Sequence, residues 1–139
     1  MIPTLVGVLS AVAIAILARS ARFAQDRSFY PTVLIVIATY YILFAVMGGS
    51  CQALAWEPAA AVAFSTVAIM GALHLPLLVG VGIVAHGLFD FIHHTMIEDA
   101  GVPDWWPGFC GSRDVVLGLW VIGLSRSGGV FRTAFRSEP

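Results

Sequence analysis

Long apolar runs separated by short polar segments form the main pattern of this sequence. Five such runs cover about residues 2–18, 31–47, 58–73, 77–97 and 108–124. Each is close to the length of about 20 residues that an α-helix needs to cross a hydrocarbon core of about 30 Å. The pattern predicts an all-α integral membrane bundle of about five transmembrane helices, forming a single domain over residues 1–139.

Proline and glycine mark the expected helix boundaries. Pro31 and Pro58 suit the first turn of the second and third helices, and residues 48–50 (Gly-Gly-Ser) interrupt the apolar pattern. Residues 51–57 are then expected to form an interfacial turn or a frayed first turn. Tyr40 and Tyr41 fall in the middle of the second span, where their hydroxyl groups need partners.

Small residues recur every fourth position in the first span, at Gly7, Ala11 and Ala15. This spacing lets another helix approach closely. The stripe fits packing within the bundle, and also a homo-oligomer formed through small-residue helix faces.

Composition supports membrane residence and excludes one class of partner. The chain is 59% hydrophobic and 11% charged, whereas soluble domains are about 45–50% apolar and about 25% charged. A net charge of −1 does not suit nucleic-acid binding, which needs a clustered basic surface. The expected partners are membrane lipids.

The basic residues predict the orientation of the bundle. All seven are arginines, and with five spans six of them fall on one side: Arg19, Arg22, Arg27, Arg126, Arg132 and Arg136. The positive-inside rule assigns this side to the cytoplasm. We therefore expect a multi-pass protein of the cell inner membrane with its N-terminus outside and its C-terminus cytoplasmic.

Most of the polar chemistry lies between residues 85 and 114, in and after the fourth span. On a helix, His86, Asp90 and His93 fall within an arc of about 60°, with His94 about 40° beyond Asp90. A charged group near the membrane centre costs about 2.5–3.5 kcal/mol on insertion scales. These side chains should therefore face protein in the outer half of the bundle, as a candidate functional site.

Three interpretations of this cluster remain open. His86, Asp90 and His93 or His94 can converge on one metal ion, and zinc is the default. A two-iron site is the other option, but the chain offers few ligands for two ions. Further ligands on the same side are Glu57, Cys110 and Asp114. Alternatively, the cluster makes only hydrogen bonds between helices, or it belongs to a proton or ion pathway.

The acidic residues outside the fourth span have two interpretations each. Asp114 either forms a local ion pair with Arg113 or acts as a ligand or base facing Asp90. In the second case Arg113 becomes available to an anionic head group or carboxylate. Glu57 is either a helix N-terminal carboxylate, stabilised by the helix dipole, or a member of the site.

The two cysteines, Cys51 and Cys110, are both expected on the outer side. In an oxidising compartment they could form a disulfide between the second and fourth loops. Two unpaired thiols are the alternative.

The segment HGLFDFIHHTMIEDAGVPDWWPGFC, followed by Arg113 and Asp114, and the segment FYPTVLIVIATYYILFAVMGGS resemble a family of small bacterial integral membrane proteins, domain of unknown function 6010. The resemblance implies a bacterial inner-membrane protein and brings no activity or ligand set. The order Asp90, His93, His94 is also similar to the histidine boxes of membrane desaturases, but those use about eight histidines and this chain has four. Membrane zinc hydrolases of the ceramidase type need fewer metal ligands than the desaturases do, so the residues of this chain resemble that type of site more closely.

These observations lead to two functional hypotheses. The first is a metal-dependent membrane enzyme acting on a lipid or amphiphile, in which the metal activates water and a carboxylate, Asp114 or Asp90, carries the proton. The second is a non-enzymatic small transporter, proton-conducting subunit or membrane assembly subunit.

Overall fold

The structure, a computed structural model, describes residues 1–128, and its long elements are all helices. Within this range five α-helices occur: α1 Ile2–Ser20, α2 Phe29–Gly48, α3 Cys51–Leu73, α4 Pro76–Met96 and α5 Trp106–Arg126. A short 3₁₀ turn, Phe23–Gln25, joins α1 to α2. All five helices are long and apolar enough to cross a membrane, so the predicted all-α bundle is confirmed. The predicted polar tail, with Arg132 and Arg136, lies outside the described residues.

The third helix begins earlier than the proline suggested. Ser50 is its N-cap, because the Ser50 hydroxyl accepts a hydrogen bond from the Ala53 amide at 3.1 Å. The helix therefore starts at Cys51, and Pro58 lies inside it. A proline within a helix removes one backbone donor, a loss that membrane helices tolerate when neighbouring groups compensate. The expected start at Pro58 is thus wrong by about two turns.

Apolar side chains cover the surface of the bundle. Buried polar side chains lie in its interior, mostly in the half predicted to face outward. Large apolar side chains such as Leu9, Val62 and Leu119 are exposed, as expected for helix faces in contact with lipid. The buried polar side chains are Glu57, His86, Asp90, His93, Ser112 and Asp114. The central helix is α4, which packs on α5, α3 and α2, while α1 packs on the far side of α5.

Two glycine pairs bring α4 and α5 into backbone contact. A methyl group added at Gly87 would lie 2.7 Å from the Gly111 carbonyl oxygen, and one added at Gly118 would lie 2.8 Å from the Gly80 carbonyl oxygen. Both distances are shorter than a carbon atom allows, so only glycine permits this approach. The pairs, Gly87 with Gly111 and Gly80 with Gly118, place the neighbouring His86 and Asp114 opposite one another.

The small-residue stripe of α1 is used inside the chain. Gly7, Ala11 and Ala15 are buried, and a Cβ at Gly7 would overlap the Phe109 carbonyl oxygen of α5. The Ser112 hydroxyl adds a polar contact, 3.1 Å from the Thr4 carbonyl oxygen. The stripe is therefore used for packing of α1 on α5 within the chain, and the expected homo-oligomer stays a prediction.

We expect Gly80→Val to destabilise the bundle by about 1–3 kcal/mol, the usual cost of overpacking a filled interface. The added side chain would meet Ile122 and the Gly118 carbonyl oxygen, at 2.8 and 3.0 Å from its Cβ. Thermal unfolding of the purified protein in detergent measures the loss. Gly123→Ala is the matched control, since nothing lies within 4 Å of a Cβ there. Equal melting temperatures for the two variants would contradict the backbone contact.

Candidate metal site

Polar side chains from four helices meet in the half of the bundle where α3 and α5 begin, which is the half predicted to face outward. They are supplied by α2 (Tyr41), α3 (Glu57), α4 (His86, Asp90, His93) and α5 (Cys110, Arg113, Asp114). At 1.5 Å per residue, His86 lies about 15 Å from the outer end of α4, and Glu57, Asp90 and Asp114 lie about 9–12 Å from the outer ends of their helices. The side chains therefore occupy one level of the membrane.

The centre of this group is formed by His86, Asp90 and Asp114. His86 Nδ1 lies 2.9 Å from Asp114 Oδ2 and 3.7 Å from Asp90 Oδ2. One ligand atom from each residue lies within 4.8 Å of the other two. All three side chains are buried, with at most 1% of their surface exposed, so water and lipid do not reach them.

Each carboxylate of the triad has one oxygen held by a neighbour. The Tyr41 hydroxyl donates to Asp90 Oδ1 at 2.7 Å, and Arg113 Nε donates to Asp114 Oδ1 at 2.9 Å. The other oxygens, the Oδ2 atoms of Asp90 and Asp114, are those that face His86 Nδ1. Tyr41 and Arg113 therefore fix the two carboxylates in a convergent orientation, as outer partners of metal ligands commonly do.

Two buried atoms of the triad have no hydrogen-bond partner among the described residues: Asp90 Oδ2 and His86 Nε2. An unsatisfied buried carboxylate oxygen costs free energy, by about 1–3 kcal/mol or more for a charged group. Asp90 Oδ2 lies beside His86 Nδ1. A cation bound between these atoms would supply the missing partner.

A second pair, Glu57 and His93, lies one layer outward. His93 Nε2 is hydrogen-bonded to Glu57 Oε1, and both side chains are buried. The His93 ring stacks on Tyr41, with centroids 4.0 Å apart. Glu57 is thus a member of the polar network, whereas His93 faces Glu57 and Tyr41 and is not among the converging ligand atoms.

The remaining predicted site residues have different positions. His94 is exposed and lines an outer cavity. Cys110 is buried with its Sγ 3.6 Å from Asp114 Oδ2, while Cys51 is exposed at the start of α3. Both thiols are free within residues 1–128, so of the two alternatives, the structure has the unpaired thiols. Arg113 pairs with Asp114 and also donates to Cys110 Sγ at 3.3 Å.

The geometry of the triad fits a small divalent ion. Bonds of about 2.0–2.2 Å in a tetrahedral shell place neighbouring ligand atoms about 3.3–3.6 Å apart. The observed separations from His86 Nδ1, 2.9 and 3.7 Å, bracket that range, and the three ligand atoms together span up to 4.8 Å, so a bound ion would draw them closer. One imidazole nitrogen and two carboxylate oxygens suit zinc, and three protein ligands leave a fourth position for water or substrate.

Tyr41 belongs to the site, but it was not predicted as a site residue from the sequence. The available signal was a hydroxyl group in the middle of an apolar span, which needs a buried partner. Tyr40 carries the same signal, and its hydroxyl has no hydrogen-bond partner among the described residues. The rotation of α2 about its axis decides between the two, and that rotation depends on packing against α3 and α4.

We expect Glu57→Ala to lower the stability of the protein by about 1–3 kcal/mol, because it leaves the buried His93 without its partner. Thermal unfolding in detergent measures the change. Glu98→Ala removes an exposed carboxylate and serves as the control. If the two substitutions had the same small effect, the buried pair would not contribute to folding.

Comparison with protein-family models, with curated proteins and with solved structures gave no match. The resemblance to domain of unknown function 6010 therefore stays a prediction. Any functional argument for this chain depends on the geometry of the site.

Proposed function

We propose that this chain is a bacterial inner-membrane enzyme that binds one divalent metal ion, zinc by preference, and hydrolyses an acyl ester or amide of an amphiphile. One observation carries the proposal: the ligand atoms of His86, Asp90 and Asp114 lie within 4.8 Å of one another, and Asp90 Oδ2 is buried there without a hydrogen-bond partner among the described residues. A bound metal ion would give Asp90 Oδ2 the partner that hydrogen bonds among the described residues do not supply.

The proposed roles follow from the contacts. His86 Nδ1, Asp90 Oδ2 and Asp114 Oδ2 hold the ion, while Tyr41 and Arg113 orient the carboxylates. Zinc in a shell of three protein ligands lowers the pKa of bound water to about 7 and so supplies a nucleophile at neutral pH. The His93 ring, which is hydrogen-bonded to Glu57, stacks on Tyr41 and so holds the tyrosine that orients Asp90.

An outer cavity of about 320 Å³ lies next to the polar network, and its lining reaches His93 but includes none of the three triad residues. It is lined by His93 and His94 of α4 and by Asp99 and Asp104 of the following loop, among others. His93 therefore connects the cavity to Tyr41, which contacts Asp90. Acidic and imidazole groups at the entrance suit the capture of a divalent cation.

The non-enzymatic alternative of a transporter or proton conductor finds less support. Inward of His86 the core is mostly apolar, with Ile83, Val79 and Leu34 buried. It also holds one partly buried polar contact, from Trp120 Nε1 to the Tyr30 hydroxyl at 3.3 Å, but no buried ionisable acid, histidine or arginine among the described residues. A pathway for ions or protons needs polar groups or water along its whole length. In the described residues the polar network is confined to the outer half.

We expect the purified wild-type protein to contain about one equivalent of zinc per chain, and Asp90→Asn to contain less than about a tenth, since a buried ligand oxygen is lost. Tyr41→Phe keeps all three ligands and is expected to weaken the metal affinity by about 10- to 100-fold. Elemental analysis and chelator competition measure the two effects. Glu98→Gln, which changes an exposed carboxylate outside the lining of the cavity, is the control.

A wild-type protein without metal after expression in zinc-supplemented medium would refute the metal site. The enzymatic part is tested separately, by fatty-acid release from a bacterial lipid extract. Metal-loaded wild type should release fatty acid and Asp90→Asn should not. A fully loaded protein without release would retain the site and refute the hydrolase.

We expect Cys51 to react with a membrane-impermeant maleimide added to spheroplasts, because it is exposed at the outer end of α3 in the proposed orientation. Cys110 is buried and should react only after denaturation. Cys51→Ser should abolish labelling of the native protein. Labelling that requires permeabilised membranes would reverse the orientation.

A further inference from the structure

A groove of about 580 Å³ opens between α1 and α2. It exists because α1 packs on α5 and the 3₁₀ turn rather than closely on α2, within the described residues. Its walls are mostly apolar, with Ile14 from α1 and Val33, Val36 and Ile37 from α2. The volume lies within the range of about 300–1,000 Å³ that is usual for small-molecule sites.

One end of the groove carries two polar side chains, each with one donor group that has no hydrogen bond within the described residues. Arg113 and Tyr40 both line it. Arg113 uses Nε and Nη2 for Asp114 and Cys110, and neither Nη1 of Arg113 nor the Tyr40 hydroxyl has a hydrogen-bond partner among the described residues. Arg113 lies about 10 Å from the outer end of α5. Unpaired donors at that depth are costly in hydrocarbon and need an acceptor.

We infer that this groove binds an amphiphile with a single acyl chain and a carboxylate head, a free fatty acid, with the carboxylate on Arg113 and Tyr40. A carboxylate accepts hydrogen bonds from a planar guanidinium in a fixed geometry. It is also small enough to reach this level of the membrane. The guanidinium links the groove to the metal site through Asp114. Binding of a fatty acid as a hydrolysis product rests on the proposed function, whereas binding in the groove does not.

The dimensions of the groove match one chain. Along α2 it extends from Phe29 to Tyr40, about 16 Å at 1.5 Å per residue. One leaflet of a bilayer contributes about half of a hydrocarbon core of about 30 Å, so the groove is as long as one lipid chain.

The charge at the opposite end fixes the direction of the ligand. Asp26 lines the groove there, and hydrogen bonds from the Ser28 amide and hydroxyl lower the pKa of Asp26 below its usual value. Its carboxylate repels an anionic head. The carboxylate head is therefore expected at the end of the groove that Arg113 lines.

The test uses a tetradecanoic acid with a diazirine in its chain, added to the full-length protein in phosphatidylcholine nanodiscs, with crosslinks mapped by mass spectrometry. We expect crosslinks at groove residues such as Val33 and Ile37 to exceed those on the exposed face around Val62 by about fivefold or more. Unlabelled tetradecanoate should remove this excess. Tetradecanol, which lacks the charge, should compete about tenfold less well, because a hydrogen bond to a charged group is lost.

Val36→Phe should fill the groove and lower the crosslinking, whereas Val62→Phe is the control on a lipid-facing surface; both valines are exposed, at 43% and 66%. Tyr40→Phe and Arg113→Gln should each weaken binding of the acid but not of the alcohol. Crosslinks spread evenly over exposed faces, equal competition by acid and alcohol, or unchanged crosslinking in Val36→Phe would each overturn the inference. Metal content is measured on the same samples, so loss of the metal site and loss of the groove are distinguishable.

Discussion

The close approach of α4 and α5 is the constraint on which the rest of the structure depends. Gly87 with Gly111, and Gly80 with Gly118, bring the two backbones together. In a membrane, helices gain little from burying apolar surface against each other, so close packing and polar contacts must hold them. The same approach sets His86 within 2.9 Å of Asp114. The close approach of α4 and α5 therefore determines both the packing of the bundle and the arrangement of the site.

The polar network has a hierarchy that follows from its contacts. Tyr41 and Arg113 each hold one carboxylate oxygen of the triad, and Glu57 and His93 complete a separate pair one layer outward. Buried polar groups rigidify a bundle when all are satisfied and destabilise it when some are not. Here the satisfied groups surround the two atoms that lack partners, Asp90 Oδ2 and His86 Nε2. Unsatisfied polar atoms surrounded by hydrogen-bonded groups are typical of binding sites.

Much of this arrangement could be predicted from the sequence, and the remainder depends on three-dimensional packing. The five helices followed from apolar run length, and His86 with Asp90 followed from helical spacing. The choice between His93 and His94 did not, because they differ by about 100° of rotation and only packing fixes that angle. The helix start at Cys51 was not predicted, because Pro58 suggested a first turn further along the chain. The N-cap Ser50 sets the observed start. The seven-residue spacing of Gly80 with Gly87 and of Gly111 with Gly118 was a usable signal that a search for four-residue stripes overlooks.

The sideways opening between α1 and α2 changes how the groove is supplied. A molecule that enters it travels in the plane of the bilayer and never has to cross bulk water. Its effective concentration is its mole fraction among the surrounding lipids, which for a long-chain compound far exceeds its aqueous level. Even weak intrinsic contacts are then sufficient for occupancy, and the composition of the membrane, rather than that of the medium, sets the working range of the protein.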